Sequence, residues 1–94
     1  MGIHPHLASE WNDDVGEKML ATCKREPKIV ALGEMGLDYF KNFQPRDLQI
    51  TALKAQLALA QKLELPVIIH CRDAFADLFE ILPDYKLPNV LLHC

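Results

Sequence analysis

The sequence predicts an α/β fold in which parallel strands alternate with helices. Three short runs are apolar at every position, Ile29-Val30-Ala31-Leu32, Val67-Ile68-Ile69 and Val90-Leu91-Leu92, and each is too short for a helix. Longer amphipathic stretches separate them, and prolines punctuate the two kinds of segment. Wholly apolar strands are expected in sheets covered on both faces, and strands separated by helices join in parallel through right-handed crossovers.

Taken in order, residues 1–6 read as the tail of an earlier strand. Over 9–26, Val15, Met19, Leu20 and Cys23 fall on one helical face. Asp13 and Asp14 suit the positive end of that helix dipole, Lys24 and Arg25 the negative end, and Pro27 stops it. Residues 28–33 form the first strand and 35–44 a loop. Pro45 is suited to a first helical turn, and Ile50, Leu53, Leu57 and Ala60 recur at three- and four-residue spacing, which predicts a helix ending before Pro66. Pro66 opens the second strand. A helix over 73–82 follows, with Asp73 as its N-cap and Phe75, Leu78, Phe79 and Leu82 on one face, and Pro83 ends it. A turn over 83–89 leads to the third strand. No linker or repeat divides the 94 residues, so residues 1–94 read as one domain.

Half of the residues are hydrophobic and 24% are charged, which excludes a disordered tail. No apolar run is long enough for a membrane span and no charged-then-apolar leader stands at Met1, so no membrane partner is expected and the predicted location is cytoplasmic. The net charge of -3 rules out a broadly basic surface that would bind nucleic acid by releasing counterions; a metal or a few local cations would have to help. Cys23, Cys71 and Cys94 are odd in number and form no Cys-x-x-Cys pair, as expected of thiols in a reducing compartment.

The functional argument rests on the strand ends. Glu34 follows Gly33, His70 follows Ile69 and His93 follows Leu92, so each strand finishes on a side chain able to bind metal or move a proton. In parallel α/β folds the C-terminal strand ends gather at one face, where residues remote in sequence converge. Two imidazoles and a carboxylate suit zinc, manganese or a similar divalent ion. Each residue alone has a structural reading as well, a hydrogen-bonded histidine or a loop-capping glutamate; three in succession favour the site. His4 and His6 flank Pro5 and read either as site residues or as a polar loop near the terminus. Asp38 reads as an Asx turn, Cys71 as buried packing, and Arg72 as a bidentate phosphate clamp or an exposed ion pair.

With their neighbours these residues resemble the TatD family of metal-dependent deoxyribonucleases, among the amidohydrolase-like barrels. The resemblance is carried by Gly2-Ile3-His4-Pro5-His6, by Gly33-Glu34-Met35-Gly36-Leu37-Asp38-Tyr39, by Leu65-Pro66-Val67-Ile68-Ile69-His70-Cys71-Arg72-Asp73-Ala74 and by His93-Cys94. It implies an α/β fold that is part of a (β/α)8 TIM barrel, about half a barrel, and a hydrolase that cuts DNA phosphodiester bonds, as an exonuclease, with one or two divalent metal ions (Mg, Mn or Zn). Glu34, His70 and His93 match the family's metal ligands, and Glu34 would also be catalytic. His4 matches an active-site histidine near the scissile phosphate, which would make it catalytic and substrate-binding, with Arg72 as a second phosphate contact. DNA is the implied partner.

A whole barrel of this kind needs about 250 residues. The family's opening aspartate-x-histidine-x-histidine block and its late aspartate have no counterpart in this sequence, so part of the site is expected to be missing. The chain is therefore read as a piece of a barrel, or as half of a site completed by another chain. Two rivals follow: an inactive fragment that self-associates through exposed sheet edges, and a related hydrolase acting on a small phosphoester or an amide.

Overall fold

Three strands, β1 (Leu32–Asp38), β2 (Val67–Arg72) and β3 (Val90–His93), form one parallel sheet in the order β1-β2-β3. Helix α1 (Asp13–Arg25) precedes β1, α2 (Arg46–Leu63) joins β1 to β2, and α3 (Phe75–Ile81) leads toward β3. The computed structural model describes residues 1–40 and 43–93; the part of the 35–44 loop at 41 and 42, and the readings made for Cys94, lie outside them.

One face of the sheet is the core. Leu32, Met35 and Leu37 of β1 and Val67, Ile69 and Cys71 of β2 are buried beneath Leu53, Leu57 and Ala60 of α2 and Leu78 and Ile81 of α3. Period-2 alternation sends Gly36, Asp38 and His70 to the opposite face, the one that curves inward in a closed barrel. The expected face of α2 holds, and Cys71 is buried packing as read from the sequence.

The sequence placed the first strand too early. Val30 is 76% exposed, and β1 begins at Leu32 and runs through the expected loop as far as Asp38. Gly33 and Gly36 look like strand breakers, yet here they are what lets β1 lie close to β2. At Gly36 (φ +149°) an added Cβ would strike the His70 carbonyl, and at Gly33 (φ +156°) it would come 2.5 Å from the Ile68 carbonyl oxygen. The register Gly33↔Ile68 is followed by Met35↔Ile69, so Glu34 is the extra residue of a β-bulge.

Four further expectations need correction. Residues 1–4 form no strand; the Gly33 N–H donates to the Met1 carbonyl (2.7 Å), and a 3₁₀ turn, Pro5–Glu10, follows. The first helix starts at Asp13 rather than Ser9, because the Asn12 side chain accepts the Val15 N–H (2.9 Å) and caps it there. Asp73 is not an N-cap: it sits in the left-handed region (φ 54°), and Ala74 takes the cap position without a side-chain bond. The face of α3 is also rotated, with Ala74, Leu78 and Ile81 buried while Phe75 and Phe79 stand 44% and 56% exposed. A helix of two turns fits either stripe by periodicity, and the sheet beneath it decides the phase.

Candidate metal centre

Residues of one register row lie side by side, Gly36 of β1 against His70 of β2 and His70 against His93 of β3. Gly36 contributes no side chain, which leaves room over the sheet. The Glu34 bulge turns its carboxylate into that room, and the start of the 3₁₀ turn carries His4, at its N-cap, and His6, in its first turn, across it. All four histidines of the chain converge as a result. The ring centroids of His4 and His70 are 4.5 Å apart, those of His4 and His6 4.4 Å, and those of His70 and His93 6.3 Å.

Two carboxylates sit among these rings. Glu34 Oε2 is 3.3 Å from His93 Nδ1, and its Oε1 is 3.7 Å from His4 Nε2. Asp38 is 3% exposed, and its Oδ2 takes both His70 Nε2 (2.9 Å) and His6 Nε2 (2.8 Å), while Oδ1 accepts the Phe40 N–H (3.0 Å). The Asx turn expected of Asp38 is thus present but accounts for only one of its oxygens. Burial pushes the Asp38 carboxyl up; hydrogen bonds from His70, His6 and the Phe40 N–H outweigh it and hold the group below the usual carboxylate range. His4 is held below the ordinary histidine value, chiefly by burial and then by the neighbouring His70 and His6.

The donor set fits a divalent cation. One atom each from His4, Glu34 and His70 lie within 4.8 Å of one another, and so do one each from His6, Asp38 and His70. Imidazole and carboxylate together suit zinc, manganese and related ions. With Asp38 ionised, the Nε2 atoms of His70 and His6 carry the protons, so Nδ1 of His70 is the nitrogen left for a cation, in the carboxylate–histidine–metal arrangement common in metalloproteins.

Of the residues singled out in the sequence, the structure brings together Glu34, His70, His93 and His4. Arg72 is exposed at the end of β2, with its guanidinium carbon 3.8 Å from the centroid of the Phe40 ring. Asp38 and His6 are more central than their loop-like context implied. Two buried glutamines of α2, Gln49 and Gln56, were missed altogether; polar residues on the apolar stripe of an amphipathic helix are the signal that marks them.

The pattern of the family described as TatD related DNase matches residues 1–94. Relatives named 3'-5' ssDNA/RNA exonuclease TatD are 44% identical over 95 residues in Citrobacter rodentium and 47% identical over 97 residues in a Rahnella species, in each case across 99% of this chain and 36% of the relative. The chain therefore spans about a third of the length of the curated relatives it matches. Among solved structures, the TatD homologue YJJV from Escherichia coli K12 superposes with a TM-score of 0.82 at 36% identity, over 94% of this chain and 34% of that one. A TatD family hydrolase from Entamoeba histolytica gives 0.73 at 32% identity, over 88% of this chain and 29% of that one.

Proposed function

The chain belongs to the family of TatD-related DNases, and from that premise we propose that it forms the metal-binding part of a nuclease that hydrolyses phosphodiester bonds of DNA from a strand end. The relatives' names extend this to single-stranded DNA and RNA cut in the 3'-5' direction. The observation that carries the reading is the convergence of Glu34, His70 and His93, with one donor atom each of Glu34 and His70 within 4.8 Å and Glu34 Oε2 3.3 Å from His93 Nδ1. Its three strands and alternating helices are one part of the barrel that the solved relatives complete.

Glu34, His70 and His93 are the residues we assign to the cation, magnesium, manganese or zinc. Bound there, a divalent ion supplies positive charge against the phosphate and lowers the pKa of a water nucleophile. Asp38 fixes the ring of His70 by accepting its Nε2–H. His4 suits a different part. Its Nδ1 accepts the His6 N–H (3.2 Å), so in the neutral ring Nε2 carries the proton, a donor facing the Glu34 side of the site. That arrangement favours contact with a phosphate oxygen or a leaving group over ligation. Arg72, stacked on Phe40 and open to solvent, can grip a neighbouring phosphate. The net charge of -3 is compatible with this chemistry because attraction is needed only at the reacting phosphate.

The test is incubation of the chain with Mn2+ and a 5'-labelled single-stranded oligonucleotide, with Mn2+ binding measured by calorimetry on the same sample. The expected result is Mn2+ binding by the parent and none by Glu34→Ala, with stepwise shortening by the parent only where a second chain completes the missing part of the site. A parent that binds no divalent ion overturns the assignment.

Self-association has an observation of its own. β3 pairs only with β2 among the described residues, and Leu91 and Leu92 are 63% and 44% exposed. Such an edge favours pairing with a second copy of the chain. Sedimentation velocity across a concentration series should show a species larger than 10.7 kDa, and a monomer throughout refutes this.

A further inference from the structure

Two fully buried amides on α2 do something a leucine could not. Gln49 and Gln56 are 1% and 0% exposed, seven residues apart on the face that also carries Ala52, Leu53, Leu57 and Ala60. Burying an amide is costly unless each polar atom finds a partner. Both side chains are fully used. Gln49 Oε1 accepts the Asp38 N–H (2.7 Å), and its Nε2 donates to the carbonyls of Asp38 (3.1 Å) and Gln44 (2.8 Å). Gln56 Oε1 accepts the Ile3 N–H (2.7 Å), and its Nε2 donates to the carbonyls of Ile3 (3.2 Å) and Ala52 (3.1 Å). Each amide thus grips both the N–H and the carbonyl of a single residue, as a neighbouring strand would.

The two gripped residues are not arbitrary. One is Asp38, whose carboxylate holds His70 and His6; the other is Ile3, which immediately precedes His4. Ile3 lies in no strand or helix, and Asp38 is the last residue of β1, so neither segment has a full ladder to hold it. The Gln44 carbonyl held by Gln49 belongs to a residue whose own side chain donates to the His6 carbonyl (3.2 Å), which ties the third site histidine to the same helix.

We infer that Gln49 and Gln56 are positioning residues of the candidate metal centre, fixing the backbones of Asp38 and of Ile3, next to His4, against one rigid helix so that donors from opposite ends of the sequence keep a common frame. The inference rests on the metal reading of the site. Its test compares Gln49→Met and Gln56→Met, which keep shape and lose the bonds, with Leu57→Ala, a core truncation on the same face whose apolar side chain makes no hydrogen bond to Ile3 or Asp38. Mn2+ affinity is measured by calorimetry and thermal stability in the presence of chelator. The expected result is a loss of Mn2+ affinity of tenfold or more in both glutamine variants, as for other supports of metal ligands, while Leu57→Ala stays within threefold despite an equal or larger fall in Tm. Glutamine variants that bind as the parent does, or a Leu57→Ala loss of the same size, overturn the inference. Hydrogen exchange on the unmodified chain is independent of whether the variants fold or the parent binds metal: the Ile3 amide, held by Gln56 Oε1, should be protected well beyond that of Gly2, and exchange at the free-chain rate refutes the Gln56 grip. A parent that binds no Mn2+ sinks the metal reading and leaves the glutamine contacts to be judged by that exchange alone.

Discussion

His70 Nε2 stands 2.9 Å from Asp38 Oδ2, an oxygen that His6 Nε2 shares at 2.8 Å. One buried carboxylate therefore sets the tautomer of two rings carried by different segments, and it leaves the opposite nitrogen of His70 available to a cation.

Asp38→Asn tests that relationship. An amide cannot accept from both rings through one oxygen while keeping its nitrogen beside the Phe40 N–H, so one ring loses its orientation. Mn2+ affinity by calorimetry should fall about 10- to 100-fold. Unchanged affinity would show that Asp38 does not orient His70.

Glu34→Ala should separate binding from folding. Its side chain is 35% exposed and makes its contacts at 3.3 Å and 3.7 Å, so thermal unfolding without metal should move by no more than about 0.5 kcal/mol. Mn2+ binding and any nuclease activity should disappear. A large loss of stability in chelator would make Glu34 a structural residue.

Stability should fall with acid in two windows. The folded pKa of His4 lies below its ordinary 6.5, so the unfolded chain binds more protons there, and stability present above 6.5 is lost as pH falls from 6.5 toward the folded value. Asp38 has a folded pKa below 3.8, so its contribution is present above 3.8 and is lost as pH falls through the folded value. Urea titrations at fixed pH values, repeated on Asp38→Asn, should show the lower window vanish in the variant while the upper one persists.

Gly36→Ala should be severe. A φ of +149° disfavours any side chain, and the added methyl would meet the His70 carbonyl, so a loss above about 2 kcal/mol is expected from denaturant unfolding. A variant of near-parental stability would mean that β1 and β2 are not so closely apposed.

Tyr39→Phe provides the contrast. The Tyr39 hydroxyl donates to Asp77 Oδ2 (2.6 Å), linking the end of β1 to α3, and burial followed by Asp77 pushes the phenol well above its ordinary value. Removing it should cost about 1 kcal/mol in thermal unfolding and leave Mn2+ affinity unaltered, because no site donor touches it. An affinity change would extend the site to this pair.

The alternation of strands and helices was legible because fully apolar runs and a long amphipathic stripe are local patterns. Val67-Ile68-Ile69, Val90-Leu91-Leu92 and the face built on Leu53, Leu57 and Ala60 needed no knowledge of the fold. The position of Glu34, His70 and His93 at strand ends and the resemblance blocks were legible for the same reason. The course of β1 was not, because whether a glycine ends a strand or lets it run close to its neighbour depends on the backbone 30 or so residues away. Helix α3 shows the same limit, since its two turns allow two phases and only the sheet selects Leu78 and Ile81.

The residue types that can bind a cation, and the topology that carries them to one end of a parallel sheet, were determined by the sequence alone, through local hydrophobic patterning. Tertiary structure alone decided how they work together: that Asp38 serves two histidines, that the bulge aims Glu34, and that Gln49 and Gln56 grip the segments bearing Asp38 and His4. Each of those is a directional hydrogen bond or a close backbone approach between distant segments, and such contacts leave no periodic trace in the chain.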